Sequence, residues 1–247
     1  IRDGYKNFII GIGGSATNDC GLGMLSALGF KFLDNKNKPV GIFGRDLENI
    51  SAINSDDVPT EIFDCNFKIA CDVKNILTGD TGCSKIYAPQ KGATPDIVQR
   101  MDTWIKNFSA LVNVEEMPGD GAAGGLGFAF RNFLRGELIP GVELILYTLN
   151  ISDDLQTADV VITGEGSIDN QTLQGKAPAG LAKLAKKLNP RVKVIAIGGA
   201  VQNISGDSDI DAVFSILRKP MTLADAMQKN IAQENISATV EQIFRLI

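Results

Sequence analysis

The stretch Phe8-Ile9-Ile10-Gly11-Ile12-Gly13-Gly14-Ser15-Ala16-Thr17-Asn18-Asp19 sets an apolar strand against a loop of glycines, hydroxyls and amides that reads as opening a helix. In α/β proteins such junctions bind anions. Unpaired N–H groups at a helix start carry partial positive charge, and glycines let a phosphate or carboxylate approach with no Cβ in the way. Gly13, Gly14, Ser15, Thr17 and Asn18 are therefore candidate contacts for a phosphate or a substrate carboxylate, with Asp19 near a metal or a hydroxyl. The bland alternative is a tight strand-to-helix turn with Ser15 or Thr17 as N-cap. Gly11, Gly13 and Ala16 also fit a relaxed Gly-x-Gly-x-x-Ala dinucleotide pattern, with Asp34 at the distance of a ribose-binding acid. Gly21 and Gly23 count against that rival, because each would cost the following helix ~1 kcal/mol relative to Ala.

Composition narrows the chemistry. The chain of 247 residues is 44% apolar, enough for one to two domains. No apolar run approaches the ~20 residues of a membrane span, and Ile1-Arg2-Asp3-Gly4-Tyr5-Lys6 lacks a secretory pattern, so a cytoplasmic location is the default expectation. Cys20, Cys65, Cys71 and Cys83 are scattered, with neither zinc spacing nor disulfide density, and read as reduced and packed. A net charge of −5 argues against a nucleic-acid partner and leaves a small ligand open. With no histidine, Ser-His-Asp triads, Cys-His nucleophiles and histidine-held metals are excluded together. Phosphoryl transfer suits the remaining inventory, since it relies on Mg²⁺, positioned charge and a carboxylate near the attacking hydroxyl.

Further along, Gly21 to Leu28 reads as a short helix, Phe30 to Leu33 as a strand, and Phe67 to Cys71 as a strand ending at Asp72. Thr94 to Val112 has helical spacing in Ile97, Met101, Trp104, Ile105 and Phe108, with Thr94-Pro95 as cap and first residue. Gly119 to Gly127 forms a second glycine cluster before a helix carrying Phe128, Phe130 and Phe133, and it is either a second backbone cradle, through Gly124 and Gly125, or a packing surface. Beyond residue 152, strands at Asp159 to Ile162, Val192 to Ile197 and Ala212 to Ile216 alternate with a helix at Ala179 to Leu188, which predicts a parallel, doubly wound sheet. Thr222 and Asp225 form a capping box for a last helical region, with Leu223, Met227, Ile231, Val240, Phe244 and Ile247 as its apolar positions.

The strand at Val160-Val161-Ile162 leads into a long polar stretch, Thr163 to Pro178, costly to order unless it grips something. Glu165 and Asp169 can hold Mg²⁺ or accept a hydroxyl proton, and Lys176 can reach phosphate oxygens. No Walker A loop is present. Asp72 is a ligand or substrate contact or the centre of an Asx turn, and Lys91, in Pro89-Gln90-Lys91-Gly92, has similar standing.

Taken together, five segments resemble the bacterial-type glycerate kinase I family. They are Ile10 to Asp19, Cys71-Asp72-Val73, Pro89-Gln90-Lys91-Gly92-Ala93, Gly121 to Gly127, and Thr163-Gly164-Glu165-Gly166 with its continuation to Pro178. The resemblance implies ATP-dependent, Mg²⁺-requiring phosphorylation of D-glycerate to 2- or 3-phosphoglycerate. It implies two α/β domains: residues 1–152 as an inserted, restriction-enzyme-like domain, and residues 153–247 as the C-terminal part of a flavodoxin-like, parallel-sheet domain. On this reading Asp169, Lys176 and Glu165 carry catalysis, and Glu165, Asp169 and Asp19 are the Mg²⁺ candidates. Substrate or phosphate contacts come from Gly13, Gly14, Ser15, Thr17, Asn18, Asp72, Lys91, Gly124, Gly125, Gly164, Gly166, Gln171 and Gly175. Cys20 stands where the family usually has glycine and Ile76 where proline is common. The chain begins downstream of the family's Asp-Ser-Phe-Lys strand and acidic Gly-Gly-Glu-Gly stretch, so it reads as a segment of something longer. The alternatives are a noncatalytic piece of such a kinase and a dinucleotide-dependent oxidoreductase; oligomeric state stays open.

Overall fold

In a computed structural model that describes residues 1–169, 177–202 and 208–247, the chain divides into two compact units, Ile1–Gly141 and Val142–Ile247. In the first, β1 (Asn7–Gly11), α1 (Leu22–Ala27), β2 (Lys31–Leu33), β3 (Ala52–Asn54) and β4 (Asn66–Ala70) precede α2 (Cys83–Tyr87), α3 (Pro95–Val112), α4 (Ala122–Phe133) and β5 (Glu137–Ile139). One parallel sheet has the order β1-β4-β5, and β2 and β3 pair separately and antiparallel. Alternation decides the inward face of β1 and β4. Phe8 lies opposite Phe67 and Ile10 opposite Ile69, with the two rings stacked at 5.1 Å.

The core of this unit is aromatic. Phe133 stacks on Phe108 at 6.1 Å and meets Phe30 edge-on at 5.2 Å, while Phe128 closes the cluster from α4. The predicted face of α3 is the buried one, with Trp104, Ile105 and Phe108 turned inward. Pro95 is its first residue, but Thr94 caps through backbone alone, with no side-chain bond.

The second unit contains α5 (Gly141–Thr148, straddling the division), α6 (Ser152–Thr157), β6 (Val160–Ile168), α7 (Ala177–Leu188), β7 (Lys193–Val201), β8 (Ala212–Ser215), α8 (Leu223–Ala226) and α9 (Lys229–Phe244). Strands β6, β7 and β8 form a parallel sheet in that order, as the alternating pattern predicts. Leu155, Val161, Ala182, Ala185, Val192 and Val194 make its core, and the alanines let α7 lie close on the sheet. The division falls eleven residues before the boundary read at residue 152, because Val142 packs on Gly180 of α7 and Ile151 and Leu155 join the α7 core.

Two elements differ from their predicted extents. Strand β6 continues six residues past Ile162, and its partner β7 continues four past Ile197. Thr222 caps α8 as expected, its Oγ1 accepting from the Asp225 N–H, but Leu223, Met227, Phe244 and Ile247 are exposed and Ile243 is the buried anchor of α9.

Candidate anion site and the loops that hold it

Because β1, β4 and β5 run parallel, the loops that follow them leave from one edge of the sheet, the edge where open α/β sheets place ligands. The chain leaving β1 turns at Gly13-Gly14, with Gly14 in the left-handed region at φ 69°. Among the described residues nothing lies within 4 Å of the position a Cβ would take on Gly13 or Gly14, so the backbone is open to an incoming group. Lys91, at the end of a 3-10 turn over Pro89–Lys91, reaches this loop: its Nζ donates to Ser15 Oγ at 2.9 Å and to the Thr17 carbonyl at 2.6 Å.

Lys91 has no carboxylate partner among the described residues, and burial pushes its pKa below the ordinary lysine value against the weaker opposing pull of Cys83 and Asp19. A half-buried ammonium bonded only to neutral oxygens is a cation short of its counter-ion. Ser15, Gly13 and Gly14 supply an open backbone and hydroxyl surface beside it. The arrangement suits a carboxylate or a phosphate oxygen.

The positive end of a helix plays no part here. α1 begins at Leu22, eleven residues beyond the last residue of β1, and its cap is Gly21 at φ 68° with no side-chain cap bond. The expectation that the loop opens a helix is thus corrected, and so is the alternative with Ser15 or Thr17 as N-cap. The dinucleotide reading falls for the same reason, since its pyrophosphate needs the helix to start at the glycines. Charge comes instead from Lys91.

The second glycine cluster explains the displaced helix. Ala123, Gly124 and Gly125 form a left-handed turn at φ 54°, 73° and 89°, which brings Gly124 against the Thr17 carbonyl and Gly125 against Cys20. The Gly124 carbonyl accepts the Cys20 N–H at 3.0 Å. Gly124 and Gly125 are buried, so they serve packing rather than a second cradle. Cys20 itself sits at φ 51°, in the left-handed region where a side chain is disfavoured and glycine is not.

Asn18 is buried, its Nδ2 donating to Ser84 Oγ at 2.9 Å, so it ties the loop to α2. Asp19 accepts the Gly21 N–H at 3.3 Å through Oδ1. Asp72 is exposed and makes no Asx turn; its Oδ1 accepts the Gly141 N–H at 2.7 Å, joining the loop after β4 to the one after β5.

In the second unit the predicted loop is partly strand. Thr163 to Ile168 extend β6, with Glu165 opposite Gly198, because glycines at 164, 166, 198 and 199 let the strand pair run on past its apolar part. Gly164 and Gly166 are exposed, and Asp169 follows the strand directly. Gln171, Gly175 and Lys176 lie outside the described residues. Among the described residues no three Asp, Glu or Cys side chains cluster to hold a metal.

Several residues that shape the site were not read from sequence. Asp120 is fully buried, bonded by the Arg131 fork at 2.8 and 2.6 Å and by the Met117 N–H at 2.7 Å, and it raises the guanidinium pKa further. Asn75 accepts the Gly119 and Gly121 N–H groups on its carbonyl and the Tyr87 hydroxyl on Oδ1 at 2.6 Å. Only Asp120, a lone acid between glycines, left a signal in the sequence.

A sequence model of the glycerate kinase family matches residues 1–247. Glycerate kinase of Haemophilus influenzae is 39% identical over 253 residues, 99% of this chain and 66% of that protein. Glycerate 2-kinase of Escherichia coli K12 is 40% identical over 254 residues, 97% of this chain and 66% of that protein. The crystal structure of glycerate kinase 2 from Salmonella typhimurium LT2 is similar at a TM-score of 0.80 and 38% identity, covering 99% of this chain and 67% of that one. The chain spans about two thirds of the length of the curated relatives it matches. With the family match running through all 247 residues and the fold shared with a solved relative, the chain belongs to the glycerate kinase family.

Proposed function

We propose that this chain carries the anion-binding and phosphoryl-transfer residues of an ATP-dependent glycerate kinase. The observation that carries the reading is the Lys91 ammonium, half-buried over the open Gly13-Gly14-Ser15 loop with only neutral partners among the described residues. D-glycerate and ATP are both anions that such a site takes. The loop receives either the glycerate carboxylate or a phosphate. The name of the Escherichia coli relative, glycerate 2-kinase, favours 2-phosphoglycerate as product.

In the transfer, a glycerate hydroxyl oxygen forms a bond to the terminal phosphorus of ATP while the bond to the ADP oxygen breaks. Asp169 or Glu165 accepts the hydroxyl proton, and Lys176 meets the transferring phosphoryl oxygens. Asp19 fits a hard cation, since its Oδ2 accepts no bond among the described residues. Mg²⁺ held by Glu165 and Asp169, or by Asp19, would neutralise charge on the phosphates.

Family kinship and the start of α1 at Leu22, well past the glycines, both favour this chemistry over the oxidoreductase alternative. The test is ADP release from ATP and Mg²⁺ with and without D-glycerate. Release that depends on glycerate and falls at least tenfold in Asp169→Asn supports the reading. Saturable glycerate binding without any release would leave the binding-only alternative in its place.

A further inference from the structure

The residues around Lys91 form a closed ring of contacts. Lys91 Nζ bonds the Thr17 carbonyl at 2.6 Å. Thr17 and Asn18 rest on Gly124, whose carbonyl takes the Cys20 N–H at 3.0 Å. The left-handed turn that carries Gly124 is fixed at its start, where the Gly119 and Gly121 N–H groups reach the Asn75 carbonyl at 3.1 and 3.0 Å. Asn75 Oδ1 accepts the Tyr87 hydroxyl at 2.6 Å, Tyr87 ends α2, and the chain returns to Lys91 four residues later. A second fastener holds the turn from the other side: the fully buried Asp120 is gripped by Arg131 of α4, which also donates to the Glu115 carbonyl at 2.7 Å.

We infer that Tyr87, Asn75 and the Asp120–Arg131 pair are positioning residues that hold the Lys91 ammonium and the Gly13–Thr17 loop in register, and so set the affinity of the loop for an anionic oxygen. None of them touches the open face of the loop. Each acts through a neighbour, and the ring has no slack: a Cβ on Gly124 would collide with the Thr17 carbonyl and one on Gly121 with the Ile76 carbonyl. A buried carboxylate fastened by a bidentate guanidinium is geometrically exacting, which suits it to fixing a turn that three consecutive left-handed residues would otherwise disfavour.

The inference rests on the anion-site reading, but its test separates the two. Lysines are labelled biosynthetically with ¹³C at Cε, the Lys91 resonance is assigned with Lys91→Arg, and its titration is followed by NMR without any ligand; inorganic phosphate binding is then measured by calorimetry on the unmodified protein. In the parent, Lys91 is expected to titrate below the ordinary lysine value, because burial disfavours its charged form. Tyr87→Phe, which removes one oxygen and leaves the fold intact, is expected to move that titration upward and to weaken phosphate binding roughly three- to tenfold, the worth of one hydrogen bond. Arg131→Lys gives a similar change, and Arg131→Met a larger one. Folded variants whose Lys91 titration matches the parent would overturn the inference. A parent that shows no phosphate binding at all would overturn the anion site, with the Lys91 titration still deciding the ring.

Discussion

Lys91 bears a desolvation cost that an anion would relieve, and that has a measurable sign. Its folded pKa lies below the unfolded value near 10.4, so holding the proton costs stability at neutral pH, and the cost disappears only as pH rises past the unfolded value. Lys91→Met is accordingly expected to be no less stable than the parent at pH 7, while losing any stabilisation by phosphate or glycerate, as read by thermal melts with and without anion. Gly124→Ala goes the other way. A left-handed φ of 73° and the Thr17 carbonyl in the path of a Cβ together predict a loss of about 2 kcal/mol or more, visible in urea unfolding. At this scale the sequence was informative about identity and silent about partners. Lys91 stood out in Pro89-Gln90-Lys91-Gly92, but its link to Ser15 joins residues 76 apart, a contact that only the fold creates. The buried Asp120–Arg131 pair was missed because an acid and a base eleven residues apart also read as two solvated surface charges.

Among the elements, periodicity and alternation located most of the helices and strands, and the departures have local causes. The sequence pattern ends β6 at Ile162, because Thr163-Gly164-Glu165-Gly166 has the composition of a loop, whereas pairing with the equally glycine-rich end of β7 keeps it extended. The pattern places α1 within one residue at each end, but the loop before it does not open the helix directly, because that loop lies across the left-handed turn of α4, a long-range packing constraint without local signal. The sheet of the second unit offers a pH test. Asp211 is bonded by Lys186 and by the Val194 N–H, each at 2.7 Å, and although burial opposes ionisation these partners hold its carboxyl below the usual range. That stability is complete above the unfolded carboxyl value near 3.9 and is lost as pH falls through the folded one. Asp211→Asn should therefore cost about 1 kcal/mol at pH 7 and close most of its gap to the parent below pH 3, as followed by chemical denaturation. In the aromatic core, Phe128→Ala is expected to cost about 3–5 kcal/mol, with little local relief because the Phe108 and Phe133 rings crowd the same space.

For the molecule as a whole, the resemblance spread over five segments was enough to reach the family, which the match over residues 1–247 and the solved relative establish. The parallel sheets followed from alternation of strands and helices, but the division at Gly141 did not, since it depends on which core Val142 and Ile151 join. All four cysteines are free thiols, and burial pushes Cys83 up to about 12 and Cys20 well above its ordinary value. A disulfide reagent at pH 8 should reach the half-buried Cys71 first and leave Cys20 and Cys83 unreacted until the chain unfolds. The claim on which the functional reading turns is that the loop after β1 and Lys91 together form an anion site. Calorimetric titration of D-glycerate and of inorganic phosphate into the parent chain and into Lys91→Met measures it directly. Saturable binding of either anion that weakens at least tenfold in Lys91→Met is the predicted result, and equal affinity in the two proteins would contradict it.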